Sequence, residues 1–433
     1  MVLAFAWLAL FLYGFPGQMV PDTFEHLMEA RAGYYTDASP PVFNVLFAIS
    51  DWSFGGQVLV FLLQTTAFVA GAYLTFRRLV PARAHWLTLA FVVFPPVITP
   101  LALVWKDALL PGLLMLGFAS MGDERRWVRL LGLLALFGAI SIRYNAFAAA
   151  FPIVILLFEW KPGMARVKRY AIAFAAWAAI SFAAFQANAL LTDRQMHLWY
   201  SSLALFDIAG TVKNTSPRIP DAELAKLLEG TGFNNPGGGS TYERVVKMYR
   251  PRNFYYLVEA KDPIWNVPIT GITPAPLAQR EAIGRAWKTI VTEHKGAYLQ
   301  HRWDVFRQCL AWATKLRAFW PIPKRFYEYP DTARDQGVAV HATMLQHDAS
   351  AVFTWLSLNT PLFEPFVYFI ASLLLLIFAR KHRDVLALLL SGIAIELTLF
   401  FLASSPDYRY SHWMVLCTLL ATITLVARRY RPV

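Results

Sequence analysis

Cysteine is nearly absent: 433 residues hold only Cys309 and Cys417. No CxxC pair and no Cys/His zinc spacing exists, so neither a disulfide scaffold nor a structural zinc site organises this chain. Both thiols are expected to be free. Charge is scarce too. Asp, Glu, Lys and Arg make up 16% of the sequence, against roughly a quarter in soluble domains. There is no GK[ST] after the one glycine-rich stretch, residues 234–240 (NNPGGGS), which reads as a turn rather than a phosphate loop. The first twenty residues lack a basic start and an A-x-A cleavage pattern, so they are expected to stay as an uncleaved helix. The missing basic start also fits a chain whose natural beginning lies further upstream. His341, His347 and Asp348 have no specific metal spacing. No metal and no cofactor is expected.

What the chain has in quantity is apolar runs. Stretches such as 57–76 (QVLVFLLQTTAFVAGAYLTF) and 385–403 (VLALLLSGIAIELTLFFLA) approach the roughly 20 residues that cross a bilayer as helix. Ten spans are predicted: 1–19, 57–76, 85–104, 109–121, 130–140, 147–160, 171–191, 362–379, 385–403 and 414–427. The fold class is therefore an all-α, multi-pass membrane bundle with one large, mainly helical domain inserted before the last three spans. Residues 1–191 form the N-terminal bundle, 192–361 the domain and 362–433 the C-terminal helices. The three spans between 109 and 160 are short. A short span thins the bilayer, kinks or packs among neighbours, and adjacent ones read equally as re-entrant pairs.

Basic residues set the orientation. Arg77, Arg78 and Arg83; Arg125, Arg126 and Arg129; Lys161, Arg166, Lys168 and Arg169; Arg380, Lys381 and Arg383; and Arg428, Arg429 and Arg431 occupy alternate loops. Such residues mark the cytoplasmic side. Both termini are then inside, while 21–54 and 192–361 are outside. The net charge of +12 follows mostly from this pattern, not from nucleic-acid binding. Within the outer domain, 276–316 has helical periodicity, and its Trp and Phe residues alternate with Arg302, Arg307, Lys315 and Arg317 before Trp320. That mixture suits a membrane-surface helix or an ordinary core helix.

Only Arg31, Lys106, Arg143 and Arg409 place cations in the short outer loops, each with polar neighbours. Singly they read as interfacial anchors. Together, charges so near hydrocarbon suit a site for a lipid-linked phosphate, with a carboxylate left for proton transfer. Asp22 is the candidate carboxylate, with Glu25 its nearest substitute and His26 in support. Asp22 also reads as the N-cap of a helix over 23–31. Lys106, Arg143 and Arg409 are the candidate phosphate binders, oriented by Asp107, Asn145 and Tyr410. Glu396 lies within a span and reads as structural.

The order of these motifs carries a resemblance. Pro21-Asp22 opens the first outer loop; Ala38-Ser39-Pro40-Pro41, Leu63-Gln64, Trp105-Lys106-Asp107, Ile142-Arg143-Tyr144-Asn145 and Pro406-Asp407-Tyr408-Arg409-Tyr410 follow. This resembles the bacterial integral-membrane glycosyltransferases of the GT-C fold, which use polyprenyl-phosphate sugars. Residues 286–306 are similar to a segment of such proteins. The likeness covers the membrane half and little of the outer domain. It departs at Ser39, where many relatives carry His before the proline pair. The resemblance implies a bacterial inner-membrane enzyme of cell-envelope glycan synthesis. Its large domain would be periplasmic, and it would transfer sugar with inversion to a glycan or glycolipid hydroxyl. A transporter or flippase of lipid-linked glycans, and a polysaccharide polymerase or ligase, are the alternatives.

Overall fold

The computed structural model describes residues 1–161, 163–268, 273–312, 330–338 and 342–429. All regular elements among them are helices. Helix α1 (Val2–Gly14) precedes α2 (Pro21–Ala32), α3 (Pro41–Phe54) and α4 (Val58–Leu79). Then come α5 (Ala84–Val92), α6 (Pro95–Ile98), α7 (Lys106–Ser120), α8 (Arg126–Ile142), α9 (Ala146–Leu157) and α10 (Arg166–Leu191). A second group holds α11 (Leu205–Asn214), α12 (Asp221–Leu227), α13 (Thr241–Met248), α14 (Tyr255–Val258), α15 (Leu277–Glu293) and α16 (Lys295–Cys309). The last are α17 (Pro330–Asp335), α18 (Met344–Asn359), α19 (Pro365–Ala379), α20 (Arg383–Leu402) and α21 (Tyr408–Arg429).

Four helices, α4, α10, α20 and α21, are long and apolar enough to cross a membrane. On α10, Phe182 and Leu190 are 66% and 84% exposed, an outward apolar face that suits lipid better than water. The predicted stretches 1–19, 109–121, 130–140, 147–160 and 362–379 hold helices of 13, 15, 17, 12 and 15 residues. These are shorter than the roughly 20 that a straight crossing needs.

The stretch 85–104 requires a correction, because it is not one helix. It divides at Phe94-Pro95-Pro96 into two pieces bent by 72°. Proline lacks the N–H that the preceding turn would use and forces its predecessor out of helical geometry; Phe94 is extended. The chain then runs through Leu103–Trp105 without helix. That segment is pinned on three sides. Gln18 N–H donates to the Ala102 carbonyl at 2.9 Å, and the Val104 N–H donates back to the Gln18 carbonyl at 2.9 Å. The buried Gln64 amide donates to the carbonyls of Leu101 and Leu103 at 3.0 and 2.8 Å. The Thr23 hydroxyl donates to the Val104 carbonyl at 2.9 Å. Carbonyls freed by the break are thus satisfied internally, as hydrocarbon demands.

Small residues let the bundle close. A Cβ added at Gly71 of α4 would lie 2.8 Å from the Gly112 carbonyl oxygen of α7, and one at Gly112 would lie 2.8 Å from the Ala67 carbonyl carbon. Likewise Gly392 of α20 faces Met414 and Cys417 of α21. Helices without a hydrophobic driving force between them associate through such backbone approach. Cys309 and Cys417 are both free and buried.

Arginines gather at one end of the bundle and serve open carbonyls there. Arg78 donates to the Phe118 carbonyl, Arg129 to those of Asp123 and Trp160, and Arg383 to that of Leu156. Arg428 pairs with Asp384 at 2.5 Å.

A second core lies between Ala204 and Leu310, and takes in Leu399 and Ala403 from the end of α20. The expected continuous helix over 276–316 breaks at His294, whose non-helical backbone separates α15 from α16. Ile283, Ala286, Ile290, Val305 and Phe306 turn into this core. The two helices are core helices, with Trp303 and Trp312 partly exposed. Lys315, Arg317, Trp320 and His341 lie outside the described residues.

Candidate functional site

The site gathers at the ends of α7, α8, α20 and α21 opposite to those that carry Arg126, Arg383 and Arg428. Helix α2 supplies Asp22. Pro21 sits at the first helical position, where its missing N–H costs nothing, and Gly33 closes the helix with φ 60°. The cap is Val20, with no side-chain cap bond. Asp22 is therefore inside the first turn rather than at the N-cap, and its carboxylate is spent elsewhere: Oδ2 lies 2.8 Å from Nη1 of Arg409.

Arg409 is the second residue of α21. Asp407 accepts its backbone N–H at 3.1 Å, and the Asp407 carboxylate is 3.3 Å from Nε. The guanidinium lies over the Trp105 ring at 4.2 Å and beside the Tyr410 ring at 5.2 Å. Desolvated cation–π contacts of this kind hold a guanidinium in place as well as stabilising it. A third carboxylate, Asp107, is 3.8 Å from Arg409 Nε and forms an ion pair with Arg143. Arg143 ends α8 in an extended conformation. It donates to Asn145 Oδ1 at 2.8 Å, and Asn145 donates in turn to Thr398 of α20 at 2.9 Å. Lys106, released at the end of the pinned 103–105 segment, reaches Ser39 Oγ at 3.4 Å.

These groups line one cavity of about 310 Å³, at the lower end of the range for small-molecule sites. Asp22, Lys106, Asp107, Arg143, Asn145, Arg409 and Tyr410 all face it. Its remaining wall includes Leu399 and Leu402, so an apolar flank adjoins a charged floor. Among the described residues three carboxylates, counting Asp407, pair with Arg143 and Arg409, and Lys106 stands beside them on Ser39. Burial alone would push the Asp22 carboxyl upward, but the charges of Arg409 and Lys106 outweigh it and hold the group at about 2.

The other candidates lie apart. Glu25 is exposed and does not line the cavity. His26 is buried behind it. Its Nδ1 is 2.5 Å from Asn44 Oδ1, and Asn44 donates to Glu29 at 2.5 Å. Glu29 also accepts from the Thr36 hydroxyl at 2.7 Å. His26 thus ties α2 to α3. Arg31, the fourth outer cation, makes a two-pronged pair with Asp51 at 2.9 and 2.8 Å and does not join the other three. Glu396 is buried on α20 and accepts from Ser411 at 2.9 Å.

Sequence reasoning gives no role to Ser39, Trp105 or Tyr144. Ser39 stands where the resembled pattern has His, and it meets Lys106; Trp105 backs Arg409; Tyr144 lines the cavity. Adjacency to Lys106 and Arg143 is the only signal for the last two. Among the described residues no group of three or more His, Cys, Asp or Glu has the arrangement to hold a metal ion. No protein-family model matches the chain, and neither a curated protein nor a solved structure does.

Proposed function

We propose that the chain is a membrane glycosyltransferase. It moves a sugar from a polyprenyl-phosphate donor to a hydroxyl of a lipid-linked or cell-envelope acceptor, with inversion, at the periplasmic face of a bacterial inner membrane. The observation that carries this reading is the single cavity in which Lys106, Arg143 and Arg409 meet Asp22 beside an apolar wall.

The chemistry follows from the groups. The acceptor hydroxyl attacks the anomeric carbon as the bond from that carbon to the phosphate oxygen breaks, and one displacement inverts the centre. The leaving phosphate keeps the bonding electrons and gains negative charge. Fixed cations at that point stabilise the transition state more than the ground state. Asp22 takes the hydroxyl proton. Asp107 and Asn145 hold Arg143 in line, and Trp105, Asp407 and Tyr410 hold Arg409. Leu399 and Leu402 suit the first units of a lipid tail. The arginines at the opposite helix ends support a cytoplasmic assignment for that end and a periplasmic one for the cavity.

The test is glycan analysis by mass spectrometry of cells lacking the chain, with the native protein or Asp22→Asn restored at equal abundance. Native protein restores a missing sugar, and Asp22→Asn lowers the transfer rate by about 10²–10⁴-fold, the usual contribution of a general base. Full restoration by Asp22→Asn removes the carboxylate from the reaction. An unchanged glycan profile in the deletion removes the enzyme.

A further inference from the structure

Resting on that reading, the geometry of Arg409 raises a question that the reaction alone does not. The carboxylate assigned to take a proton is already engaged, 2.8 Å from the guanidinium assigned to hold the donor phosphate. The two partners differ in freedom. Arg409 is 12% exposed and clamped by Trp105, Tyr410 and Asp407. The Asp22 side chain is 43% exposed, in the first turn of a 12-residue helix. If the pair opens, the carboxylate moves and the guanidinium stays.

Charge points the same way. Among the described residues the cluster holds three cations and three carboxylates. A donor phosphodiester brings one further negative charge into a cavity whose Asp107, Arg143 and Arg409 side chains are mostly buried. Arg143 is already committed to Asp107 and Asn145, while Lys106 reaches only the Ser39 hydroxyl among the described residues and is open to the added anion; an anion that also takes Arg409 has to compete with Asp22. The carboxylate that yields at least cost is the partly solvated one, because water replaces what it loses.

We propose that Asp22 and the donor phosphate are alternative partners of the Arg409 guanidinium, so that donor entry frees the carboxylate and product departure recaptures it. The empty enzyme then carries a paired, unreactive Asp22 on Arg409. Entry of the phosphate displaces it toward the acceptor hydroxyl. As the new carbon–oxygen bond forms, the hydroxyl proton passes to Asp22, while the electron pair of the broken bond stays on the phosphate. A protonated Asp22 does not compete for Arg409. Once it returns that proton to water it re-pairs and helps to expel the lipid phosphate. Held at about 2 while paired, Asp22 is a poor base until the donor arrives.

The test uses the full-length protein in lipid nanodiscs and farnesyl phosphate as the probe. Binding is measured for the native chain, Asp22→Asn, Glu25→Gln, Arg409→Gln and the Asp22→Asn/Arg409→Gln double variant, with melting curves to confirm folding. Asp22→Asn is expected to bind about tenfold tighter than native, a gain worth 1.4 kcal/mol. Glu25→Gln removes the same charge three residues away without touching Arg409 and changes binding less than about twofold. In the Arg409→Gln background the gain from Asp22→Asn disappears. Equal or weaker binding by Asp22→Asn overturns the exchange while leaving the phosphate site standing. So does an equal gain from Glu25→Gln, and that comparison holds even if Arg409→Gln fails to fold. Absence of binding by folded native protein and by Asp22→Asn removes the phosphate site itself, and the exchange with it.

Discussion

At the scale of single residues, the cavity shows how a chain keeps charge in an apolar setting. Asp107 is the hinge of the arrangement. Only 2% exposed, it pairs with Arg143 and lies 3.8 Å from Arg409. Asn145 also touches Arg143, but as a neutral hydrogen-bond acceptor. The physics separates the two. Replacing Asp107 by Asn leaves buried guanidinium charge without its carboxylate, at a cost of about 3–5 kcal/mol. Replacing Asn145 by Ala removes a bond from the Arg143 guanidinium worth about 1.5–3 kcal/mol and a neutral one to Thr398 worth about 1 kcal/mol, but leaves the charge paired. Thermal unfolding of the two variants in the same detergent should therefore show the larger loss for Asp107→Asn. Similar losses for both would mean that the cations are balanced by water rather than by Asp107.

At the scale of elements, glycines divide into those that hold helices together and those that merely sit in them. Gly112 of α7 lies against the backbone of α4, whereas a Cβ at Gly138 of α8 would meet only Leu113 Cδ1, at an ordinary 3.6 Å. Gly112→Ala should overpack the contact and cost roughly 1–3 kcal/mol. Gly138→Ala should be neutral or stabilising by up to about 1 kcal/mol, from helix propensity. Melting temperatures decide this, and equal shifts of the same sign would refute the close approach. Neither role is visible in the sequence, where both are glycines in apolar runs. What is legible there is the set of charges that interrupt those runs. Lys106, Arg143 and Arg409 stand out because they are cations in loops otherwise poor in basic residues, and their sharing of a cavity with Asp22 follows from alternation of helix direction. The divided stretch at Pro95-Pro96 is hidden by continuous hydropathy on both sides, although the proline pair is its cause. The separation of Arg31 is hidden for a different reason: its partner Asp51 is 20 residues away on another helix. The buried placement of His26 depends likewise on Asn44, across a loop.

At the scale of the whole molecule, a buried network helps to fasten the second core to the bundle. Asp207, 1% exposed on α11, pairs with Arg302 and lies 3.2 Å from His301 Nε2 on α16, and it accepts from the Trp287 indole at 2.9 Å. Arg302 also donates to the Ala403 carbonyl at 3.0 Å, and Ala403 is part of the cavity wall. The network thus joins the core of α11–α16 to the end of α20 beside the candidate site. His301 fits only because residue 210 has no side chain; a Cβ there would overlap the ring. Its Nδ1 lies 2.8 Å from the Tyr249 hydroxyl and its Nε2 3.2 Å from Asp207; with the imidazole neutral, Nδ1 accepts from that hydroxyl. Burial lowers the His301 pKa below its ordinary 6.5, against the opposing pull of Asp207. The sign follows directly. Below 6.5 the unfolded chain binds this proton before the folded chain does, so stability falls as pH falls through that value. His301→Gln retains a donor and an acceptor but cannot titrate. The native protein should lose more melting temperature than His301→Gln between pH 7.5 and pH 5.5, and the gap between them should narrow or reverse in acid. Parallel pH profiles would show that His301 is protonated in the folded state, and the Tyr249 hydroxyl would then have to turn its proton elsewhere.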